Sequence, residues 1–268
     1  MKTAIKFEPK EDGRIWVVEI DRPPANTITE KMLDELKGLV EEFSQDADAR
    51  VLIITGAGNR YFIGGAEISE IISIRSPAEG RKLAVKGQAL CRTIEMSRKP
   101  IIAAINGLCL GGGNEIALAC HMRIASENSI FQQPEVSLGI MPAFGATQRL
   151  PRLLGEGLAR KMILAAERVT AKEALVVRLV EEVVPSGQAV ARALLIGRKI
   201  AEKSQIAVSN AEEAIKRGLC SRSGDGYKAE LAGFERICAG DEMHEALQAF
   251  KERRQPNFVR RKTPKNSL

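Results

Sequence analysis

The sequence predicts an α/β fold in which alternating strands and helices precede a tail built only of helices. Short apolar runs at 51–55 (VLIIT) and 101–105 (IIAAI) are typical of strands buried on both faces of a parallel sheet. Helical spacing of apolar residues separates these runs. Beyond about residue 188 only helices are predicted, near 188–203, 206–219, 226–238 and 241–253. This order indicates two differently built parts of one chain.

Capping residues mark the starts of the main helices. Thr29 precedes a stripe of apolar residues at helical spacing. Ser76 is followed by a proline and by Glu79, a strong start for a helix that we expect to reach about residue 98. Thr170 and Glu173 form a second capping box.

Two more strands and one more helix complete the predicted elements. Residues 14–20 (RIWVVEI) and 179–184 read as strands, and each is followed by proline. An apolar helical stretch is predicted over 115–120, directly after three consecutive glycines.

Composition and charge narrow the class of protein. The 268 residues are 44% hydrophobic and 28% charged, as in ordinary globular proteins, and aliphatic side chains must fill the core because only 4% are aromatic. The net charge of +6 is compatible with an anionic ligand, although a solvated basic surface accounts for it equally well. No run approaches a membrane span, and residues 1–10 lack the apolar stretch of a signal peptide.

Five cysteines stand at positions 91, 109, 120, 220 and 238. Their odd number and wide spacing argue against a disulfide framework and against a zinc knuckle. We therefore expect a reducing compartment, the cytoplasm, and no metal.

Several common motifs are absent from the sequence. Gly56 and Gly58 follow a strand, but Tyr61 stands where a dinucleotide fingerprint needs its third glycine. His244 opens a zinc-protease pattern that Gln248 breaks. The only other histidine, His121, is expected to make a structural hydrogen bond.

Three segments combine groups that could carry chemistry. Residues 101–115 (IIAAINGLCLGGGNE) lead a buried strand into three glycines and a helix start, where amide N–H groups can face an oxygen that becomes negative. Residues 61–69 (YFIGGAEIS) carry a glycine pair before a helical turn and could supply a second amide. In residues 131–139 (FQQPEVSLG), Glu135 has apolar neighbours that would raise its pKa. Each segment alone could be an ordinary turn.

Taken in order, these segments resemble the crotonase superfamily of acyl-coenzyme A enzymes. The resemblance covers nearly the whole chain and is carried by residues 22–26, 62–68, 106–117, 133–139, 147–152 and 249–258. It implies a spiral of β-β-α turns over residues 1–195 and a helical region, 196–268, that forms a homotrimer or a dimer of trimers. It also implies a CoA thioester as substrate, with no further cofactor.

The resemblance assigns roles to residues of the three segments. The backbone amides of Ala66 and Gly112 would hold the thioester oxygen, and Glu115 and Glu135 match the two acids of the enoyl-CoA hydratases. We assign Glu115 to activating water at the β-carbon and Glu135 to proton delivery at the α-carbon. Other matching residues would contact CoA: Ala25, Glu67, Ile68, Ser69 and Gly111, with Phe234 and Arg253 contributed by a neighbouring subunit.

The sequence departs from the family pattern near the acyl end of the site. Residues 142–147 (PAFGAT) replace two common glycines by alanine and place Phe144 there, which indicates an unusual acyl group. His121 replaces a common aspartate, Arg178 a common glycine and Arg253 a common lysine.

Three alternatives to a simple hydratase stay open. An enoyl-CoA isomerase would need a single acid, and a hydratase of a dienoyl or cyclic acyl-CoA would accommodate Phe144. A non-catalytic RNA-binding member is favoured only by the basic charge, without the aromatic residues that stack on bases. We expect neither nucleic acid nor membrane as a partner.

Overall fold

A computed structural model of the protein describes residues 4–220, 225–238 and 241–258. The strands in these ranges are β1 (Ile5–Lys10), β2 (Ile15–Ile20), β3 (Val51–Gly56), β4 (Tyr61–Ile63), β5 (Ile101–Ile105), β6 (Leu108–Leu110), β7 (Met122–Ser126), β8 (Ile130–Gln132), β9 (Val169–Thr170) and β10 (Glu182–Val184). The helices are α1 (Glu30–Gln45), α2 (Ile68–Ser73), α3 (Pro77–Glu95), α4 (Gly112–Ala119), α5 (Ala146–Leu154), α6 (Glu156–Leu164), α7 (Ala171–Val176), α8 (Ala189–Ala201), α9 (Gln205–Cys220), α10 (Asp225–Cys238) and α11 (Asp241–Glu252). A 3₁₀ helix spans Glu135–Leu138.

From β3 to β8, consecutive strands alternate between two sheets. The larger sheet has the order β1-β2-β3-β5-β7-β10 and is parallel except for β1. The smaller sheet has the order β4-β6-β8-β9 and is parallel except for β9. The pairs β3–β4, β5–β6 and β7–β8 therefore each give one strand to the larger sheet and the next to the smaller one. This repetition is the spiral of β-β-α turns that the resemblance implied.

The core forms where helices cover the larger sheet. Strands β3 and β5 are buried along their whole length, as the continuous apolar runs predicted. The apolar stripe of α1 is buried at Met32, Leu33, Leu36, Val40 and Phe43. Trp16 packs between two phenylalanine rings, with centroids 4.6 Å from Phe7 and 5.7 Å from Phe43.

The helix starts agree with the capping signals. Thr29, Ser76 and Thr170 each accept a hydrogen bond from a backbone N–H in the first turn, and Thr170 and Glu173 form the complete capping box. Helix α3 ends at Glu95, three residues before the predicted end.

The last predicted strand is shorter than expected. Only Glu182–Val184 pairs with β7, because the N–H groups of Leu179 and Val180 donate to the carbonyl of Ala174 at the end of α7. Arg178, which stands in place of a common glycine, adopts a left-handed φ of 62° in this turn. A non-glycine residue there costs about 1–2 kcal/mol.

The chain divides into two compact units, Met1–Arg198 and Lys199–Leu268. The first holds both sheets, and the second holds α9, α10 and α11. The role of the helical unit in trimer formation stays a prediction. No helix in the described part of the chain is long and apolar enough to cross a membrane.

The packing around Trp16 predicts unequal effects of two similar substitutions. Phe43 is fully buried, so Phe43→Ala should lower the free energy of unfolding by about 3–5 kcal/mol. Phe7 contacts the same indole but is 43% exposed, so Phe7→Ala should cost only about 1 kcal/mol. Urea unfolding of both variants measures the difference, and equal losses would contradict this packing.

Candidate active site

A cavity of ≈ 370 Å³ brings the three predicted segments together. Five residues singled out in the sequence line it together: Ala66, Gly111, Gly112, Glu115 and Glu135. Helices α2 and α3 and apolar residues of the 138–144 segment also line it. Of the other predicted contacts in the first compact unit, Ile68 and Phe144 also line the cavity, whereas Ala25, Glu67 and Ser69 do not. The contacts of Phe234 and Arg253 with CoA bound to a neighbouring copy stay a prediction.

Two backbone amides lie side by side at one wall of this cavity. Strands β4 and β6 pair in parallel, so the loops that follow them leave the sheet at the same edge. A Cβ on Gly112 would stand only 3.7 Å from the Ala66 nitrogen. Within the described residues neither the Ala66 nor the Gly112 N–H donates to a protein acceptor. Both are therefore available to a ligand oxygen.

Each of the three consecutive glycines has its own structural reason. Gly111 has a φ of 51°, and a Cβ there would stand 2.9 Å from Oε1 of Glu135. Gly112 faces Phe144, whose ring would lie 3.0 Å from an added Cβ. At Gly113 an added Cβ would overlap the carbonyl oxygen of Ile63. The backbone reaches the site only because these side chains are missing.

Glu67 fixes the loop that carries the Ala66 amide. Its N–H donates to the carbonyl of Ile28 at 2.8 Å. Its carboxylate accepts a hydrogen bond from Thr27 Oγ1 at 2.7 Å and pairs with Arg22. Thr27, Arg22 and Ser69 together lower the pKa of Glu67 to about 2. This carboxylate thus holds the protein's own loop, and its predicted contact with CoA stays a prediction.

Glu115 stands in the first turn of α4 and is 2% exposed. Its Oε1 accepts hydrogen bonds from the backbone N–H groups of Phe144 and Ala146, both at 2.8 Å. Burial raises the pKa of this carboxyl, and the backbone amides of residues 144–146 and the Arg149 charge oppose the rise. The amides favour the carboxylate form, so Glu115 can be negative although it is buried.

Glu135 begins the 3₁₀ helix and is 9% exposed. Gln133 is fully buried beside Glu135. When the amide of Gln133 is oriented so that its nitrogen faces Glu135, this nitrogen donates to both carboxyl oxygens at 3.2 Å. Burial raises the pKa of Glu135 to about 7, and the nearby charge of Glu115 adds to the rise. Glu135 is thus able to hold or release a proton near neutral pH.

The two histidines have separate outcomes. His121 accepts a hydrogen bond at Nδ1 from the backbone N–H of Ile101 at 2.8 Å, which confirms its structural role. The side chain of His244 lies outside the described residues. Across the described ranges, no three His, Cys, Asp or Glu side chains group as metal ligands would.

Sequence reasoning missed two contributors to the site. Gln133 stood in the segment of interest, but nothing in the pattern marked its amide as a partner of Glu135. Helix α3 lines the cavity with Gly80, Leu83 and Ala84. The small residues along this helix were a signal in the sequence that could have indicated this contact. Small side chains in a helix allow close approach of another element.

The chain is similar to known proteins over most of its length. Residues 10–261 match the profile of the enoyl-CoA hydratase/isomerase family. The chain is 39% identical over 246 residues to a short-chain-enoyl-CoA hydratase of Clostridium acetobutylicum, covering 91% of this chain and 94% of that protein. It is 38% identical over 251 residues to a crotonyl-CoA hydratase of Syntrophomonas wolfei, covering 93% and 96%. The crystal structure of an enoyl-CoA hydratase from Bacillus anthracis superposes with a TM-score of 0.90 at 35% identity, covering 96% of this chain and 99% of that chain.

Because the pKa of Glu135 is raised, replacing its carboxyl should change the free energy of unfolding by an amount that depends on pH. Between its ordinary value of 4.5 and about 7, the folded protein keeps a proton that the unfolded chain releases, so this carboxyl lowers stability as pH rises. The free energy of unfolding of Glu135→Gln minus that of the parent protein should therefore rise by about 2–3 kcal/mol from about pH 5 to about pH 8.

Urea unfolding of both proteins at the two pH values measures this gain. Glu156→Gln serves as the control, because Glu156 is exposed at the start of α6 and its substitution should act equally at both values. A Glu135→Gln effect that does not change with pH would show that the carboxyl is ionised throughout.

Proposed function

Because the chain belongs to the enoyl-CoA hydratase/isomerase family, we propose that it adds water to the C2=C3 double bond of a 2-enoyl-CoA thioester. The same site would also catalyse the reverse dehydration of a 3-hydroxyacyl-CoA. The observation that carries the proposal is the placement of two buried carboxyls, Glu115 and Glu135, in one cavity with two backbone N–H groups that donate to no protein acceptor among the described residues. Coenzyme A is part of the substrate in this reaction, and no other cofactor is needed.

The environments of the two acids support different roles. Glu115 accepts two backbone hydrogen bonds, which favour its charged form, so it can take a proton from water as the oxygen attacks C3. Glu135, with a pKa of about 7, can hold the proton that C2 needs. A new C3–O bond and a new C2–H bond then form on the same face of the alkene. The two acids interact, so their protons are shared properties of the pair.

The amides of Ala66 and Gly112 would stabilise the negative charge that develops during addition. Attack at C3 moves electrons towards the thioester oxygen and gives it enolate character. Donors fixed before reaction stabilise such an oxyanion by about 3–4 kcal/mol each. Loops held by Glu67 and by the packing of Gly113 keep both donors in place without a substrate.

We further propose that the helical unit assembles the protein as a homotrimer or a dimer of trimers. Large apolar side chains on its described helices are exposed: Leu219, Leu231, Phe234 and Leu247. Exposed apolar surface of this kind is typical of a protein–protein contact. Phe234 and Arg253 could reach CoA bound to a neighbouring copy in such an assembly.

Replacing either acid by its amide tests the proposed chemistry. Glu115→Gln and Glu135→Gln should each lower kcat for hydration of crotonyl-CoA by about 10²–10⁴-fold, since each removes one proton transfer. Loss of the absorbance of the conjugated enoyl thioester measures the rate. Glu127→Gln, at an exposed site outside the cavity, should keep the parent rate.

Two results would contradict this assignment. Failure of the parent protein to hydrate any enoyl-CoA would exclude a hydratase. Conversion of a 3-enoyl-CoA to its 2-enoyl isomer that survives in Glu115→Ala would identify an isomerase, which needs Glu135 alone.

A further inference from the structure

We propose that Phe144 closes the acyl end of the active-site cavity and limits the substrate to short acyl groups. This inference rests on the proposed function and deepens it, because it names the substrate class. It is carried by the position of one aromatic ring between two cavities.

A second, larger cavity of ≈ 550 Å³ adjoins the active-site cavity. The two cavities share three lining residues, Met141, Ala143 and Phe144. The 141–144 segment is therefore the wall between them. Met141 is 63% exposed and can move into solvent, and Ala143 is too small to block a passage. Phe144 is 5% exposed, so its ring decides whether the cavities communicate.

Helices on both sides hold the ring in place. One edge of the ring lies against Gly87 in α3, where an added Cβ would overlap it. The opposite edge lies against Gly112, the glycine whose amide faces the site. The backbone of Phe144 is fixed as well, because its N–H donates to Glu115 and its carbonyl accepts from Arg149. A long acyl chain would have to displace a ring that has no free space on either side.

The far cavity differs from the active site in chemistry. Arg92, Arg149 and Arg152 line it together with a single acid, Glu95, which pairs with Arg149 at 2.7 Å. In the described part of the chain neither Arg92 nor Arg152 has an acidic partner. This charged cavity offers open volume to an acyl chain that passes the ring. The barrier to long acyl chains is thus the ring of Phe144 rather than the end of the available volume.

The chain-length profile of three variants tests the wall. For the parent protein, kcat/KM should fall steeply from crotonyl-CoA to hexenoyl-, octenoyl- and decenoyl-CoA. Phe144→Ala should raise the ratio of decenoyl- to crotonyl-CoA activity at least about tenfold, the discrimination that even a single misfitting methylene produces. Gly87→Ala/Phe144→Ala puts a methyl group back into the space and should return the ratio towards the parent value. Phe144→Leu should give an intermediate ratio and replaces the alanine variant if that variant does not fold.

Val85→Ala is the matched control. Val85 lies on α3 two residues from Gly87, lines neither cavity and is 52% exposed, so its truncation should leave the ratio between long and short substrates unchanged. A parent protein that hydrates decenoyl-CoA as well as crotonyl-CoA would overturn the inference. An unchanged ratio in folded Phe144→Ala or Phe144→Leu would overturn it too.

Binding separates this inference from the proposed function. Calorimetric titration with butyryl-CoA and decanoyl-CoA needs no turnover, and Phe144→Ala should tighten decanoyl-CoA relative to butyryl-CoA by a similar factor. If no enoyl-CoA is hydrated but this shift in binding occurs, the proposed function is wrong and the inference that Phe144 limits acyl length is supported. If hydration occurs without the shift in binding, the inference about Phe144 is wrong and the proposed function is supported.

Discussion

The site depends on the hydrogen bonds that the buried carboxyl group of Glu115 accepts from the backbone. A charged group that is 2% exposed is tolerated only where donors replace the lost water, and here the N–H groups of Phe144 and Ala146 do so. These two amides belong to the start of α5, whose N-cap residue, Gly145, has no side chain to cap it. Glu115 therefore caps a second helix from across the cavity, and the positive end of that helix favours its negative charge. This interaction thus positions the Glu115 carboxyl, the start of α5 and the backbone of Phe144 together.

Two residues of the same type acquire different properties because their surroundings differ. Glu115 receives two backbone amides and the field of Arg149, which restrain the rise in its pKa. Glu135 is also buried, but its main partner is the neutral amide of Gln133, and its pKa rises to about 7. When buried acids lie near each other, the one with fewer donors holds the proton. This difference in surroundings supports the proposed division of roles, in which Glu115 accepts a proton and Glu135 donates one.

The sequence predicted the parts of the fold that have strong local signals. Strands β3 and β5 are continuous apolar runs, and Thr29, Ser76 and Thr170 carry capping chemistry that acts over a few residues. The short strands β4, β6 and β8 were missed because three residues are too few to show a period. The apolar neighbours of Glu135 marked it in the sequence, and the resemblance paired it with Glu115. The donors from Phe144 and Ala146 were not predictable, since they depend on a contact across about thirty residues of chain.

Gly87 and Phe144 are best understood as a pair. A glycine inside α3 weakens the helix by about 1 kcal/mol relative to alanine, and nothing in the local sequence compensates for that loss. The compensation is tertiary, because the missing side chain leaves room for a phenyl ring 57 residues further along the chain. Burial of such a ring contributes about 1.5–3 kcal/mol, more than the helix loses. The glycine thus serves the proposed wall of the acyl pocket, because α3 leaves open the space that the ring of Phe144 fills.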